Sequence, residues 1–204
     1  MTYYRYPRIV DKHSITTVTD KDNERRYILA LKLKKRGSER LLIIIDSMGA
    51  ADEIDSDRKL CRILKYIQES RELQPYGELR IMSLFPVCSS KIKYVIEKLY
   101  EKGPEFILGE DDLFILEDRV ISNKMLIKEN IDLADKIILA WGSPPVKLKK
   151  YHHNVSEELL AYIKTRKKSL YTYTIGELSL RGYPKSCLCW SYKEVPIAYP
   201  FNSV

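Results

Sequence analysis

Short runs rich in apolar residues recur along this chain and predict the strands of a sheet. They cover residues 26–33, 41–45, 79–85, 136–141 and 170–174. The run at 41–45 is Leu-Leu-Ile-Ile-Ile, without a polar break. Uninterrupted branched residues are typical of strands that are buried on both faces of a sheet. Gly37 and Ser38 lie between the first two runs, so we predict that these two strands form an antiparallel hairpin.

Between these runs, apolar residues recur at helical spacing. After residue 56 the pattern Leu60, Ile63, Leu64 and Ile67 predicts an amphipathic helix whose polar positions are strongly charged. Further helices are predicted over 91–102, 123–133 and 156–166, the last with Ser156 as its N-cap. Strands that alternate with helices indicate an α/β domain with a mainly parallel central sheet.

The chain reads as a single domain over residues 1–204. We predict an N-terminal arm at 1–25, an acidic, irregular insertion at 105–122 and a tail without regular structure at 191–204. The apolar runs are too short to cross a bilayer. The first residues contain no apolar signal core, and we therefore expect a cytoplasmic protein that does not contact membranes.

Charge and cysteine content narrow the class of partner. The net charge is +7, which suits nucleic acid or another polyanion. Two candidate nucleic-acid-binding clusters stand out, although solvated helix ends explain them equally well: Lys147, Lys149 and Lys150, then Arg166, Lys167 and Lys168. Four cysteines and three histidines lack the paired spacing of a zinc site. No metal or other cofactor is predicted.

Acidic residues follow the strand at 41–45. Ligands of open α/β sheets bind outside the carboxyl ends of the strands. We predict Asp46, Asp52 and Asp55 as catalytic candidates, because carboxylates there can activate a water or hold a ribose hydroxyl. A carboxylate at the end of a buried strand must be paired or partly wet, which makes Asp46 the best candidate for a perturbed acid. The alternative for Asp55 or Ser56 is the N-cap of the next helix.

Aromatic residues and histidines near the other strand ends are open to two interpretations. Phe85 either stacks on a base or fills the core, and the core is favoured. Trp141 is either a pocket wall or a core residue at the end of its strand. His153 is either a general acid or part of a solvent-facing loop, and the loop is favoured.

Six short motifs follow one another along the chain. They are Arg26-Tyr27, Ser47-Met48-Gly49-Ala50-Ala51-Asp52, Asp55-Ser56-Asp57-Arg58-Lys59-Leu60-Cys61, Ser83-Leu84-Phe85, Ala140-Trp141-Gly142 and Gly182-Tyr183-Pro184-Lys185-Ser186-Cys187-Leu188. Their order resembles that of domain-of-unknown-function family 1643, found in bacteria and phages. The resemblance covers residues 26–190.

The family in turn is similar to the uracil-DNA glycosylase superfamily. That similarity implies a three-layer α/β/α sandwich. In such glycosylases the first loop positions a water, a second-strand asparagine reads the base, and a late histidine stabilises the departing base. The substrate-binding positions implied here are Ser47, Met48, Gly49, Ser83, Phe85, Trp141, Gly142, Ser143 and Ser186.

The chain departs from this pattern at its chemical groups. Serines stand at 47 and 83 in place of asparagines, and Ser186 stands in place of the late histidine. A hydroxyl offers neither the paired groups of an amide nor a protonatable ring. One hypothesis is therefore hydrolysis of an N-glycosidic bond in a nucleotide or nucleic acid, with DNA favoured over RNA. The other is a catalytically inactive module that binds the same ligands. A weaker third hypothesis is a protein-interaction module, in which the acidic stretch 105–118 or the tail contacts a partner.

Overall fold

The computed structural model describes residues 4–89, 91–111, 114–116 and 119–201, which form nine strands and five helices. The strands are β1 (Val10–Thr19), β2 (Arg26–Leu33), β3 (Glu39–Ser47), β4 (Tyr76–Phe85), β5 (Phe114–Leu116), β6 (Arg119–Ile121), β7 (Lys136–Ala140), β8 (Thr172–Ile175) and β9 (Pro196–Ala198). The helices are α1 (Arg58–Glu69), α2 (Ile92–Lys102), α3 (Pro104–Leu108), α4 (Asn123–Leu133) and α5 (Lys149–Thr165). None of the helices in the described residues is long and apolar enough to cross a membrane.

The main sheet is mixed. Its seven strands have the order β1-β2-β4-β3-β7-β8-β9. The four strands from β4 to β8 are parallel, whereas β1, β2 and β9 pair antiparallel with their neighbours. The predicted α/β class is confirmed. A parallel core with antiparallel edges replaces the mainly parallel sheet that the sequence predicted.

The predicted hairpin of β2 and β3 is wrong, because β4 lies between these strands. Ile81 of β4 pairs with Leu29 on one side and with Ile43 on the other. Gly37 was interpreted as a hairpin turn, but a Cβ there would lie 2.1 Å from the carbonyl oxygen of Pro75. The glycine therefore serves a close crossing of two backbones. The hairpin partner of β2 is β1, a ten-residue strand within the predicted N-terminal arm.

Two helix starts also differ from prediction. Helix α5 begins at Lys149, so Ser156 lies inside it and donates from its hydroxyl to the carbonyl of His153 at 3.1 Å. The N-cap of α1 is Asp57 rather than Asp55 or Ser56. The Asp57 carboxylate accepts from the backbone N–H of Leu60 at 2.8 Å and from that of Ala51 at 3.1 Å. One side chain thus caps the helix and fastens the loop before it.

The insertion and the tail contain more regular structure than predicted. All but the first residue of helix α3 and the whole β5-β6 ribbon lie within 105–122. Residues 112, 113, 117 and 118 of that prediction lie outside the described residues. In the tail, β9 pairs with β8, and residues 202–204 are likewise outside the description. Periodicity misses strands this short, since three residues make no pattern.

The core consists of two clusters that alternate residues of β3 separate. Leu41, Ile43 and Ile45 pack with apolar residues of α1, whereas Leu42 and Ile44 pack with residues of α2, α4 and α5. The five residues at 41–45 are at most 2% exposed. Burial on both faces explains the uninterrupted apolar run.

We predict that Asp57→Ala lowers the free energy of unfolding by about 1–2 kcal/mol, because the N-cap of α1 and the tie to Ala51 are both lost. Urea denaturation followed by circular dichroism measures the change. Glu69→Ala, at the exposed end of the same helix, is the control and should change stability by less than about 0.5 kcal/mol. An equal loss in both variants contradicts a capping role for Asp57.

Candidate functional site

Three neighbouring parallel strands end at one edge of the sheet and bring most of the predicted site together. Ser47 at the end of β3 pairs with Phe85 at the end of β4. On the other side of β3, β7 ends just before Trp141. Gly142 has a φ of 65°, and a Cβ there would lie 3.0 Å from the Cβ of Ser186. The late loop therefore lies against the end of β7.

Asp46 is held by a lysine that the sequence interpretation missed. Lys59, in the first turn of α1, donates to the Asp46 carboxylate at 2.8 Å. It also donates to the carbonyl and the hydroxyl of Ser47, at 2.9 and 3.0 Å. Asp46 is 24% exposed and Lys59 only 12%. The expectation that Asp46 must be paired or partly wet thus agrees with the geometry. The sequence feature that could have identified Lys59 is its position two residues after Asp57, the N-cap of α1.

The second oxygen of Asp46 has only a weak contact. The Ser47 hydroxyl donates to this oxygen at 3.5 Å, the limit of a hydrogen bond. A carboxylate oxygen can accept two hydrogen bonds. This oxygen therefore keeps the capacity to accept from a water or from a ligand hydroxyl.

His152 is the second functional residue that the sequence interpretation missed. Because α5 begins at Lys149, His152 falls in its first turn and faces the sheet. Its ring centroid lies 6.4 Å from that of Phe85, 6.3 Å from that of Trp141 and 5.6 Å from that of Tyr183. The ring is 1% exposed, and neither nitrogen has a well-formed hydrogen bond in the described part of the chain.

Burial lowers the pKa of His152 to about 4, although the Asp46 charge and a backbone group of Trp141 act weakly in the opposite direction. The imidazole is therefore neutral at pH 7, with one nitrogen able to donate and the other able to accept. An unpartnered buried polar group costs stability unless a ligand or water satisfies it. His153, by contrast, lies on the exposed side of α5 beside Glu157 at 3.2 Å.

Asp52 and Asp55 shape the loop between β3 and α1. The Asp52 carboxylate accepts from the backbone N–H groups of Ile54 and Asp55 at 2.8 and 2.7 Å, which closes a turn. The Asp52 N–H also donates to the carbonyl of Asp55 at 2.8 Å. Asp52 is exposed and Asp55 half-buried. The turn that it closes gives Asp52 a structural role. The catalytic role of both residues stays a prediction.

The first loop is packed closely against its surroundings. Arg26 donates to the carbonyl of Gly49 at 2.6 Å, and a Cβ on Gly49 would lie 1.5 Å from the Asp57 carboxylate. Met48 is 2% exposed and belongs to the core. The adjoining cavity, lined in part by Arg26, Met48 and Lys59, measures about 20 Å³, which is room for a water rather than a base.

Ser83 has a structural role at the end of β4. It is fully buried, and its hydroxyl donates to the carbonyl of Phe85 at 2.8 Å. The carbonyl of Ser83 accepts from the side-chain amide of Asn123 at 3.1 Å, so the end of β4 is fixed from α4. Ser143, which follows Gly142, is exposed.

The two basic clusters lie at opposite ends of α5. Lys147, Lys149 and Lys150 are exposed beside the carboxyl edge, about 25 Å from the end of this 17-residue helix. At that far end Arg166 pairs with Asp132 at 2.6 Å, and Lys168 donates to the carbonyl of Ala134 at 2.8 Å. Only the first cluster adjoins the site. Among the described residues, no three His, Cys, Asp or Glu side chains lie close enough to share a metal ion.

The low pKa of His152 predicts a pH-dependent stability. Between the ordinary pKa near 6.5 and the folded pKa near 4, the unfolded chain binds the extra proton. The contribution is fully present above about pH 6.5 and is lost as the pH falls toward 4. From pH 7 to 4.5 the loss from this group is on the order of 2 kcal/mol.

We therefore predict that His152→Leu loses less stability than the wild type between these two pH values, by about 2 kcal/mol in urea denaturation. His153→Leu removes the exposed neighbour and should behave like the wild type. If both variants keep the full pH dependence, His152 is not the group that titrates.

Comparison with known proteins gives a family and nothing more specific. The family model described as "Protein of unknown function (DUF1643)" matches residues 26–186, which is well over half of the chain. No curated protein and no solved structure gives a significant match. The matched range includes Asp46, Lys59, His152 and Ser186, so the whole carboxyl-edge site lies inside the family domain. The chain belongs to the family of proteins of unknown function DUF1643.

Proposed function

We propose that this protein binds a nucleobase-bearing ligand at the carboxyl edge of β4, β3 and β7 and hydrolyses its N-glycosidic bond. One observation supports this most strongly: Asp46, Phe85, Trp141 and a neutral His152, which has no well-formed hydrogen bond among the described residues, converge on that edge. Aromatic rings stack on bases, and carboxylates orient water. The three-layer, uracil-DNA-glycosylase-like architecture is part of the proposal. Its support is the two core clusters on the faces of β3 and the motif order.

In the proposed reaction Asp46 orients the water. Its weakly contacted oxygen accepts a hydrogen bond from the water, whose oxygen attacks the anomeric carbon of the sugar as the bond to the base nitrogen breaks. Lys59 fixes the position of the carboxylate. The water supplies a hydroxyl to the sugar and, through Asp46 or solvent, a proton to the base.

His152 takes the place of the imidazole that Ser186 cannot supply. A neutral imidazole keeps one N–H, which in a dry environment donates a strong hydrogen bond without the ring first taking up a proton. Its N–H is proposed to stabilise the negative charge that develops on the departing base. The group comes from α5 rather than from the late loop, so the proposed reaction does not require a histidine at position 186.

The site must open to admit a base. The cavity of about 20 Å³ beside Lys59 does not hold one. The loop that carries Ser143 is exposed and leads into α5, so it is the proposed element that moves. We propose DNA rather than RNA as the polymeric substrate, with a free nucleotide as the alternative substrate.

We predict base release from uracil-, hypoxanthine- or modified-base DNA, or from free nucleotides, detected by chromatography. Asp46→Asn should lower the rate by about 10²-fold or more, and His152→Leu by a similar factor. Asp22→Asn, which removes an exposed carboxylate on the β1-β2 turn, is the control and should keep the wild-type rate. Asp52→Asn keeps the turn acceptor and tests whether Asp52 adds chemistry. No release across this panel rejects the hydrolase.

A second candidate is a non-catalytic binder of nucleotides or nucleic acid. The observation that favours it is that polar side chains at this edge hydrogen-bond to other groups of the protein. Lys59 donates to the Asp46 carboxylate, and the Ser83 hydroxyl donates to the Phe85 carbonyl. Such groups stabilise the scaffold without turning over a substrate.

This candidate predicts binding to nucleic acid without product. If the ligand is a polymer, the logarithm of the association constant should fall linearly with the logarithm of the salt concentration, by about 0.7 per phosphate contacted on a single strand. Fluorescence anisotropy over a salt series measures the slope. Binding of DNA and RNA that is absent, or insensitive to salt, excludes the polymer-binding module.

A further inference from the structure

A basic cavity lies on the outer side of α1, away from the proposed active site's aromatic rings. Its volume is about 290 Å³, and it is lined chiefly by Tyr4, Arg58, Arg62, Lys65, Leu188 and Tyr192. Three of these side chains are cationic, and among the described residues that line the cavity none is acidic. This composition favours an anionic ligand.

The cations share one face of α1 because of their spacing. Arg58, Arg62 and Lys65 occupy positions i, i+4 and i+7, which stack along a helix. The opposite face carries Leu60 and Ile63 into the core. A row of three basic residues spans about 10 Å of the helix axis. Core packing therefore fixes which way this row points.

Tyr192 holds two of the cations close together. The guanidinium of Arg62 and the ammonium of Lys65 lie 4.8 and 4.7 Å from the centroid of its ring. Two like charges within about 10 Å of each other repel, and a nearby anion offsets this repulsion. Glu69 is 4.0 Å from Lys65, but both side chains are about half exposed, so this pair neutralises little. A bound phosphate would relieve the repulsion.

The row of cations begins next to the proposed active site. Arg58 and Lys59 are consecutive, and Lys59 contacts Asp46 whereas Arg58 lines the cavity. The cap residue Asp57 ties this helix end to the loop at Ala51. If a nucleic-acid strand places a base beside Asp46, its neighbouring phosphates lie close to the cationic side chains of α1.

We propose that this cavity binds phosphate groups in the backbone of a single-stranded nucleic acid. The ligand class rests on the proposed function, whereas the binding surface does not. Arg58, Arg62 and Lys65 neutralise the phosphates, and Tyr192 positions the last two cations. Phosphate contacts of this kind supply affinity that is independent of base sequence.

The test is the binding of a fluorescein-labelled oligothymidylate of about 15 nucleotides, within the reach of known single-strand sites. Arg62→Ala/Lys65→Ala should weaken binding at least about tenfold and reduce the magnitude of the salt slope by about 1.4, as expected for two lost contacts. The matched control Lys12→Ala/Lys21→Ala removes the same charge from exposed positions elsewhere and should lower affinity by less than about twofold.

Variants of Tyr192 test whether the position of Arg62 and Lys65, and not only their charge, contributes to binding. Tyr192→Phe keeps the ring that holds Arg62 and Lys65 and should bind like the wild type. Tyr192→Leu keeps the charges but loses the ring, and should bind about fivefold more weakly with a smaller salt slope. Thermal melting of each variant checks that the fold is retained.

The outcomes distinguish this inference from the proposed function. Base release is measured in parallel on free nucleosides, which carry no phosphate. If nucleosides are cleaved but the Arg62/Lys65 variant binds oligonucleotide like the wild type, the cavity proposal fails and the hydrolase stands. If binding depends on this cavity but no substrate is cleaved, the hydrolase fails and the cavity proposal stands. An equal loss in the Lys12/Lys21 control also overturns it, because charge alone then explains binding.

Discussion

Burial of β3 on both faces constrains the rest of the molecule. Its five apolar residues pack against α1 on one face and against α2, α4 and α5 on the other, with a hydrogen-bonded strand on each edge. Polar side chains therefore stand only at the two ends of this strand: Glu39 and Arg40 where it begins, and Asp46 and Ser47 where it ends. The neighbouring strands β4 and β7 run parallel to it, so their last residues arrive at the same edge. The position of the site follows from this single constraint.

The sequence predicted those features that depend on continuous burial or on regular spacing. The central strands and the face of α1 formed by Leu60 and Ile63 carry such patterns and were identified. The pairing of β2 was missed, because a turn glycine such as Gly37 looks the same whether it closes a hairpin or permits a backbone crossing. Neighbour relations in a sheet are long-range contacts, and local pattern does not encode them.

The candidate site divides in the same way. Asp46, Phe85 and Trp141 could be predicted as candidates because they stand at or just after the ends of buried strands. Lys59 and His152 were missed because their roles depend on helix phase and on the true start of each helix. A serine at 156 looked like a cap, and that error turned His152 into a loop residue. Burial without a partner, which marks His152 most clearly, is visible only in three dimensions.

Helix α5 joins two regions that have nothing else in common. Its first turn carries the imidazole. The residues just after its last turn, Arg166 and Lys168, bind Asp132 and Ala134 at the end of α4. A rigid rod of this length transmits a small tilt at one end as a displacement at the other. The placement of the imidazole is therefore set partly by contacts at the opposite edge of the sheet. Through α5, residues at that opposite edge such as Asp132 thus help to set the position of His152.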